Sequence, residues 1–277
     1  MFHNDPIDDT TILLFDIYRN HPYIEFIKNN VKDKVVVDCG SGNGIWTWVA
    51  LYYGAKFVYA VDINKSTIEH LKFIYKDNKQ VEVLELNLFK SVLPKGDVYI
   101  HEIFSDNLFG EGLISFLKNC KEQNISNIFP SELTLYSLTN PSSSTTPASF
   151  DYSLMQESVI AFLNHLENAY NKPINRTYYT SMLKTFNFSC DSKTKIWEGK
   201  LLDLLDQINI KVNDNFISWE TGQGDLIYSS LNRDLNSWPR GYVTVTEFKK
   251  DYLKYLRRAW LPGRSAIAHV NTAPKFN

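Results

Sequence analysis

The chain has little of several features that mark particular classes of protein. Its three cysteines, Cys39, Cys120 and Cys190, are far apart and form no C-x-x-C pair, so they predict no metal site and suggest a reducing compartment. Lysine and arginine are spread along a chain of net charge −2, which argues against nucleic acid as a partner. The most apolar stretch, 45–61, is interrupted by polar residues and glycine, so no membrane span is predicted. With no signal peptide pattern either, we expect a cytoplasmic location.

The composition is that of a globular protein with a substantial core. The 277 residues are 44% hydrophobic, 22% charged and 14% aromatic. A chain of this length forms one large domain or two small ones.

The stretch from Val35 to Asn64 has the pattern of a strand, a helix and a second strand. Residues 35–37 are a β-branched run too short for a helix, which predicts a buried strand. Residues 45–53 are a crowded apolar segment of helical length, and 56–61 predicts the second strand. The result is a βαβ unit of an α/β domain with a parallel sheet.

Acidic residues and glycines stand at the turns of this unit. Asp38 ends the first strand, Asp62 ends the second, and the pattern D-x-G-x-G-x-G continues from Asp38 through Gly40, Gly42 and Gly44. Glycines let the backbone turn tightly and approach a ligand, and a carboxylate at the tip of the second strand can accept hydrogen bonds from both ribose hydroxyls.

The spacing separates two kinds of nucleotide site. The dinucleotide fingerprint is G-x-G-x-x-G, and here the third glycine comes one residue earlier and an acid precedes the first. This resembles motif I of the class I S-adenosylmethionine (SAM) methyltransferases, whose ligand has no phosphate to hold. The alternative is a glycine-rich turn in some other α/β domain.

Two further strands are predicted to end at the same edge of the sheet. Residues 81–86 alternate as a strand that ends at Asn87, and 97–100 form the fourth strand, which is followed by His101 and Glu102. Ligands of open parallel sheets bind beyond the carboxyl ends of the strands. We therefore expect one crevice lined by these tips, with Asn87 either contacting the adenine or forming an ordinary turn.

A pair of glutamates follows the fourth strand. Glu102 and Glu111 are nine positions apart, and the loop reads EIFSDNLFGEG. Taken alone, one is a loop acid and the other favours a helix N-terminus. Beside the glycine motif, E-x8-E resembles the double-E loop of the protein arginine methyltransferases, and the wording is similar to the branch that reads E-[LI]-F-D-x-x-L-x-G-E-G.

Other matches to that family flank the glycine motif. Residues 16–23, DIYRNHPY, resemble the family's D-x-x-R-N-x-x-Y. The resemblance implies that Arg19 contacts the cofactor carboxylate and that Tyr23 covers the site and binds the substrate. It also implies that both glutamates bind the substrate and catalyse the reaction. The resemblance to the family covers about residues 16–136. The late Thr-His-Trp loop of the family is absent, and neither His269 nor Trp238 is established as its replacement.

The second half of the chain is less regular. After a helix at 112–123 and a strand at 127–137, residues 139–149 predict a polar linker. Beyond it we predict helices at 155–170, 181–186 and 247–260 and strands at 216–219, 226–229, 241–248 and 266–270. The predicted domains are N-terminal helices over the cofactor site (1–30), a SAM-binding domain (31–138) and a β-rich substrate and dimerisation domain with a helical arm (139–277).

The sequence thus predicts an α/β fold: a Rossmann-like SAM-binding parallel sheet followed by a smaller, mostly β, barrel-like domain with a helical insertion. The resemblance implies a SAM-dependent arginine N-methyltransferase, with peptidyl arginine, free arginine or another guanidino compound as substrate. It also implies a homodimer closed through a helical arm at 150–170. The alternatives are a methyltransferase of another small molecule or protein side chain, and a catalytically silent SAM-binding scaffold.

Overall fold

A five-stranded parallel sheet forms the first half of the molecule. The computed structural model describes residues 11–15, 17–104, 112–139, 142–147, 152–181, 183–189, 192–206, 216–220, 226–229, 243–249 and 252–258. The sheet has the strand order β3-β2-β1-β4-β5 and is parallel throughout. Its strands are β1 (Val35–Cys39), β2 (Phe57–Asp62), β3 (Val81–Glu85), β4 (Val98–His101) and β5 (Ile128–Phe129). This confirms the predicted Rossmann-like sheet.

Four helices accompany this sheet. They are α1 (Ile17–Asn30), α2 (Ile45–Tyr52), α3 (Lys65–Ile74) and α4 (Leu113–Glu122), and a short 3-10 helix, Ile12–Phe15, precedes them. Pro22 lies inside α1, which continues through it as one helix. The central strands and the inner faces of the helices form one continuous apolar core, because a sheet covered by helices buries its side chains on both faces.

The second half consists mainly of two antiparallel sheets. One has the order β11-β10-β6-β9 and the other β12-β13-β8-β7. Their strands are β6 (Glu132–Thr139), β7 (Ser142–Pro147), β8 (Leu183–Ser189), β9 (Ser192–Lys200), β10 (Phe216–Glu220), β11 (Leu226–Ser229), β12 (Val243–Lys249) and β13 (Tyr252–Arg258). The predicted β-rich second part is confirmed.

Several predicted elements of this half are wrong. The predicted linker at 139–149 contains strand β7, and the predicted helices at 181–186 and 247–260 are replaced by β8 and β13. The single strand predicted at 127–137 is two strands, β5 and β6, that belong to different sheets. In each case pairing with strands far along the chain decides the conformation. The predicted strand at 266–270 lies outside the described residues.

Helix α5 (Glu157–Tyr170) packs on the first half, and α6 (Arg176–Ser181) follows it. The buried face of α5 includes Val159, Phe162 and Leu166, and the Phe162 ring lies 6.0 Å from the Trp48 ring of α2. The apolar face of the predicted dimerisation arm is therefore used within the chain. The predicted domain boundaries stay a prediction. Within the described ranges, no helix is both long and apolar enough to cross a membrane.

Candidate active site

Three strand ends bring carboxylates to one edge of the parallel sheet. β1 lies between β2 and β4 and runs parallel to both. Asp38 is the next-to-last residue of β1, Asp62 is the last of β2, and Glu102 follows β4 directly. Because ligands of such sheets bind beyond this edge, these side chains border the candidate site. Their roles in binding stay predictions.

Asp38 is buried beneath the turn that follows β1. Its Oδ2 accepts hydrogen bonds from the backbone N–H of Thr47, at 3.0 Å, and from the Thr47 hydroxyl, at 2.7 Å. Its Oδ1 has no hydrogen-bond partner among the described residues. Burial, opposed by the hydrogen bonds from Thr47, raises the pKa of Asp38 to about 7. Asp38 thus caps the first turn of α2 and helps to build the site.

The turn between β1 and α2 is formed by glycines in the left-handed region. Gly40, Gly42 and Gly44 have φ angles of 81°, 52° and 86°, which residues with a Cβ rarely adopt. The N–H groups of Gly40 and Ser41 both donate to the carbonyl of Val61, at 2.8 and 3.0 Å, and so fasten the turn to β2. The predicted tight turn is confirmed, whereas contact between these glycines and a cofactor stays a prediction.

Asp62 is half-buried and faces this turn. Its Oδ2 accepts a hydrogen bond from the N–H of Gly42 at 3.2 Å, and its Oδ1 accepts one from the N–H of Asn64 at 2.8 Å. Each carboxylate oxygen has two acceptor sites. Asp62 is therefore held in place by the backbone and keeps the capacity to accept hydrogen bonds from two ribose hydroxyls.

Asn87 forms a local turn after β3. Its Oδ1 accepts a hydrogen bond from the N–H of Phe89 at 2.9 Å, and its own N–H donates to the hydroxyl of Ser91. This is the Asx-type geometry that ends many strands. The observed contacts match the turn alternative for Asn87, and an adenine contact stays a prediction.

Glu102 is held by a tryptophan from the neighbouring helix. The Nε1–H of Trp46 donates to Oε2 of Glu102 at 3.3 Å. The Trp46 indole is stacked on the ring of Tyr23, with centroids 4.6 Å apart and planes 16° apart. The sequence predicts only that Trp46 fills the core. Glu102 is 56 residues away along the chain, so the position of Trp46 in a helix gives no indication of this contact.

Tyr23 is fully buried under this stack. Its hydroxyl donates to the carbonyl of His101 at 3.1 Å, and its ring meets the Phe129 ring edge-on at 5.2 Å. Tyr23 is 0% exposed and stacked on Trp46, and its contact with a substrate stays a prediction. Arg19 lies in the first turn of α1, and its side chain lies outside what the structure describes.

His101 ends β4 in apolar surroundings. Its ring lies 5.4 Å from the Phe104 ring and 5.0 Å from the Phe116 ring. Burial lowers the pKa of His101 to about 3, although the backbone of Pro130 favours the charged form. His101 is therefore neutral near pH 7 and adds no positive charge beside Glu102. Glu111, Trp238 and His269 lie outside the described residues.

Comparisons with known proteins find methyltransferases. The family described as FtsJ-like methyltransferase matches residues 20–120. Protein arginine N-methyltransferase 1 of Chlamydomonas reinhardtii is 36% identical over 111 residues, which are 37% of this chain and 32% of that protein. Ribosomal protein L11 methyltransferase of Thermosipho melanesiensis is 35% identical over 104 residues, which are 36% of this chain and 40% of that protein.

A solved structure of protein arginine methyltransferase 10 from Arabidopsis thaliana is also similar. It has 19% identity and a TM-score of 0.40, and the match covers 73% of this chain and 63% of that one. The chain spans less than half the length of the curated relatives that it matches.

In its parallel sheet, its glycine turn and the family match over residues 20–120, this part of the chain is similar to the SAM-dependent methyltransferases, and SAM is the cofactor that this similarity indicates. More particularly, the domain is similar to that of the protein arginine N-methyltransferases. The residues present fit SAM, because Asp62 offers acceptors to a ribose and the glycine turn leaves room for close approach.

Proposed function

We propose that this protein is a SAM-dependent arginine N-methyltransferase in which Glu102 and Glu111 hold the guanidinium group. The observation that supports it best is the position of Glu102, at the end of β4 beside the cofactor edge, with Oε2 fixed by the Trp46 indole. Glu111 enters through the sequence pattern E-x8-E. The arginine N-methyltransferases among the relatives support the same choice of acceptor.

The charge of the reactants explains why two carboxylates are needed. A guanidinium has a pKa above about 12, so at neutral pH it is a delocalised cation without a free lone pair. The methyl donor is a sulfonium cation, and the two cations repel each other. Two carboxylates offset that repulsion through charge-assisted hydrogen bonds, and they draw positive charge towards the nitrogens they contact.

Methyl transfer then follows from the position of the remaining nitrogen. That nitrogen regains lone-pair character and attacks the methyl carbon, the carbon–sulfur bond breaks, and S-adenosylhomocysteine leaves as a neutral thioether. Alignment of the two groups at attack distance supplies much of the acceleration. The proton released from the nitrogen passes to a glutamate, because the low pKa of His101 makes it a weak base.

The walls of the site are suited to a planar cation. The Trp46 and Tyr23 rings form one stacked unit behind Glu102, and His101 is neutral. A carboxylate beside apolar rings attracts a guanidinium more strongly than one surrounded by water does. A cytoplasmic location and a homodimer remain part of this proposal, and sedimentation that gives only monomer at micromolar concentrations would contradict the dimer.

The second candidate is a methyltransferase of another protein side chain. The observation that favours it is the similarity to the ribosomal protein L11 methyltransferase of Thermosipho melanesiensis. A silent scaffold that binds SAM without turnover is the third, and the presence of both Glu102 and Glu111 disfavours it.

One experiment separates these candidates. The protein is incubated with SAM labelled on the methyl group and with free arginine, arginine-rich peptides or lysine-rich peptides, and the products are analysed by mass spectrometry. Methyl groups on guanidino nitrogens of arginine support the proposal. Methylation of lysine alone supports the second candidate, and SAM binding without any product supports the scaffold.

A further inference from the structure

Helix α3 holds the glycine turn through two side chains. The Nε2–H of His70 donates to the carbonyl of Asn43 at 3.1 Å, and the hydroxyl of Tyr75 donates to the carbonyl of Gly44 at 2.8 Å. These carbonyls belong to consecutive residues directly before α2. Because each peptide unit is planar, fixing these two carbonyls also fixes the directions of the N–H groups in the same peptide units, which are those of Gly44 and Ile45.

The fit between α3 and the turn is close. A Cβ at Gly44 would lie 2.9 Å from Cδ2 of Leu71 and 3.2 Å from Cε2 of Tyr75. His70 and Tyr75 are buried, with 6% and 3% exposure. The turn is therefore held on one side by α3 and on the other by β2.

Helix α5 in turn holds α3. The hydroxyl of Tyr170 lies 2.7 Å from Nδ1 of His70, with the planes of the two rings nearly parallel at 9°. Five residues earlier on α5, the Nε2–H of His165 donates to the carbonyl of Ile74 at 3.0 Å. The His165 ring is also stacked on Trp48 of α2, with centroids 4.4 Å apart. A helix from the second half of the chain thus contacts both helices that border the turn.

The hydrogen bonds of His70 depend on one another. A neutral imidazole has one donor and one acceptor nitrogen. Since the Asn43 carbonyl can only accept, Nε2 carries the proton and Nδ1 accepts from the Tyr170 hydroxyl. Tyr170 therefore holds the His70 ring in the orientation in which its Nε2–H meets the Asn43 carbonyl of the glycine turn.

We propose that His70 and Tyr170 are positioning residues for SAM: Tyr170 of α5 orients the imidazole of His70, and His70 sets the geometry of the glycine turn that receives the cofactor. Helix α5 thereby couples the second half of the chain to cofactor affinity. The proposal depends on the SAM site and not on arginine as the acceptor, so it can fail or succeed independently of the proposed substrate.

The test compares SAM dissociation constants measured by calorimetry at a temperature where every variant is folded. Tyr170→Phe keeps the ring and removes one hydroxyl, and we expect SAM to bind about threefold more weakly, as for loss of one hydrogen bond. His70→Leu removes both bonds of the imidazole, and we expect a weakening of about tenfold. His70→Gln can again donate to the Asn43 carbonyl, so we expect it to recover most of the affinity.

A double variant distinguishes positioning from general loss of stability. If Tyr170 acts through His70, Tyr170→Phe has no further effect on SAM binding in the His70→Leu background, whereas independent effects multiply. Tyr52→Phe, on the exposed face of α2, is the matched control and should bind SAM as the parent does. In turnover assays, the KM for SAM should rise in Tyr170→Phe while kcat is retained.

Three results would overturn the proposal. One is an unchanged SAM dissociation constant in both Tyr170→Phe and His70→Leu. Another is multiplicative effects in the double variant. The last is a His70→Gln variant as weak as His70→Leu while its unfolding temperature equals that of the parent.

Discussion

The two sides of the candidate site are built in different ways. On the cofactor side, Asp38 and Asp62 accept hydrogen bonds from backbone N–H groups, and the glycine turn is fastened to β2 through the Val61 carbonyl. On the acceptor side, Glu102 accepts a hydrogen bond from the Trp46 indole and lies beside aromatic rings. Backbone donors suit a ligand held in one pose, whereas a carboxylate in apolar surroundings suits a cation. Substitutions on the two sides should therefore separate cofactor affinity from turnover.

The largest effect is expected for the two glutamates. Glu102→Gln and Glu111→Gln keep size and hydrogen-bonding reach, and in Glu102→Gln the amide oxygen can still accept from Trp46. Each removes a charge that offsets two cations, which costs about 2–5 kcal/mol, or roughly thirtyfold to several thousandfold in kcat. SAM affinity should stay within about twofold of the parent value. The assays are steady-state kinetics on an arginine peptide and calorimetry with SAM.

Both glutamate variants must lose turnover for the paired arrangement to hold. Retention of near-parental kcat by either one would contradict it and would leave a methyltransferase of another acceptor.

The cofactor side should respond in the opposite way. Asp62→Ala removes the acceptors proposed for two ribose hydroxyls, and hydrogen bonds to a charged group contribute about 1.5–3 kcal/mol each. We expect SAM binding to weaken by at least about tenfold. The control is Asp77→Ala, an exposed aspartate, which should bind SAM normally. Unchanged affinity in a folded Asp62→Ala protein would exclude the ribose role.

Much of the parallel half could be predicted because its signals are local. The β-branched run at 35–37, the three glycines and Asp62 lie within one βαβ unit, so the strand, the turn and the shared edge are determined by residues close in sequence. The parallel direction of β1 and β2 follows from the same unit, because a helix connects the two strands.

The antiparallel half could not be predicted in the same way because its strands pair over long distances. Strand β13 carries Leu253 and Leu256 at helical spacing, yet these residues pair with Phe188 and Thr185 of β8. Strand β7 consists of serines, threonines and Pro147, and it is an edge strand, where proline is tolerated. The Trp46–Glu102 contact could not be predicted either. The two residues come from elements that are neighbours in the fold but are 56 positions apart in the sequence, and no sequence motif joins them.

The buried Asp38 should make stability depend on pH. Its pKa is about 7 in the folded protein, against 3.8 for a free side chain. Between these values the unfolded chain has released a proton that the folded protein keeps. Raising the pH through this window therefore lowers the free energy of unfolding, by at most about 1.4 kcal/mol per pH unit. The stabilising contribution is complete below the lower value and lost as the pH passes about 7.

Asp38→Asn tests this effect by removing the titration. The amide oxygen can still accept from Thr47, and the cost of its buried NH₂ group does not vary with pH. Denaturant unfolding at several pH values should show the variant gaining stability relative to the parent as the pH rises from about 4 to about 7. Parallel stability curves would show that Asp38 does not titrate in this range.

The smallest effect is expected for the tryptophan that holds Glu102. Trp46→Phe keeps an aromatic ring stacked on Tyr23 and removes the Nε1–H that donates to Oε2 of Glu102. At 3.3 Å this hydrogen bond is long, so we expect kcat to fall by only about threefold to fivefold. The SAM dissociation constant should be unchanged, because the Trp46 indole donates its hydrogen bond to Glu102 and not to Asp38 or Asp62.

A matched variant separates the hydrogen bond from general loss of an indole. Trp48 lies two residues further along α2 and packs against Phe162 and His165 instead of Glu102. Trp48→Phe retains an aromatic ring there and should keep parental kcat. If Trp46→Phe and Trp48→Phe lowered kcat equally, the indole of Trp46 would matter only for packing. A specific loss in Trp46→Phe, with SAM affinity intact, would show that side-chain donors position the acceptor carboxylate while backbone donors position the cofactor carboxylates.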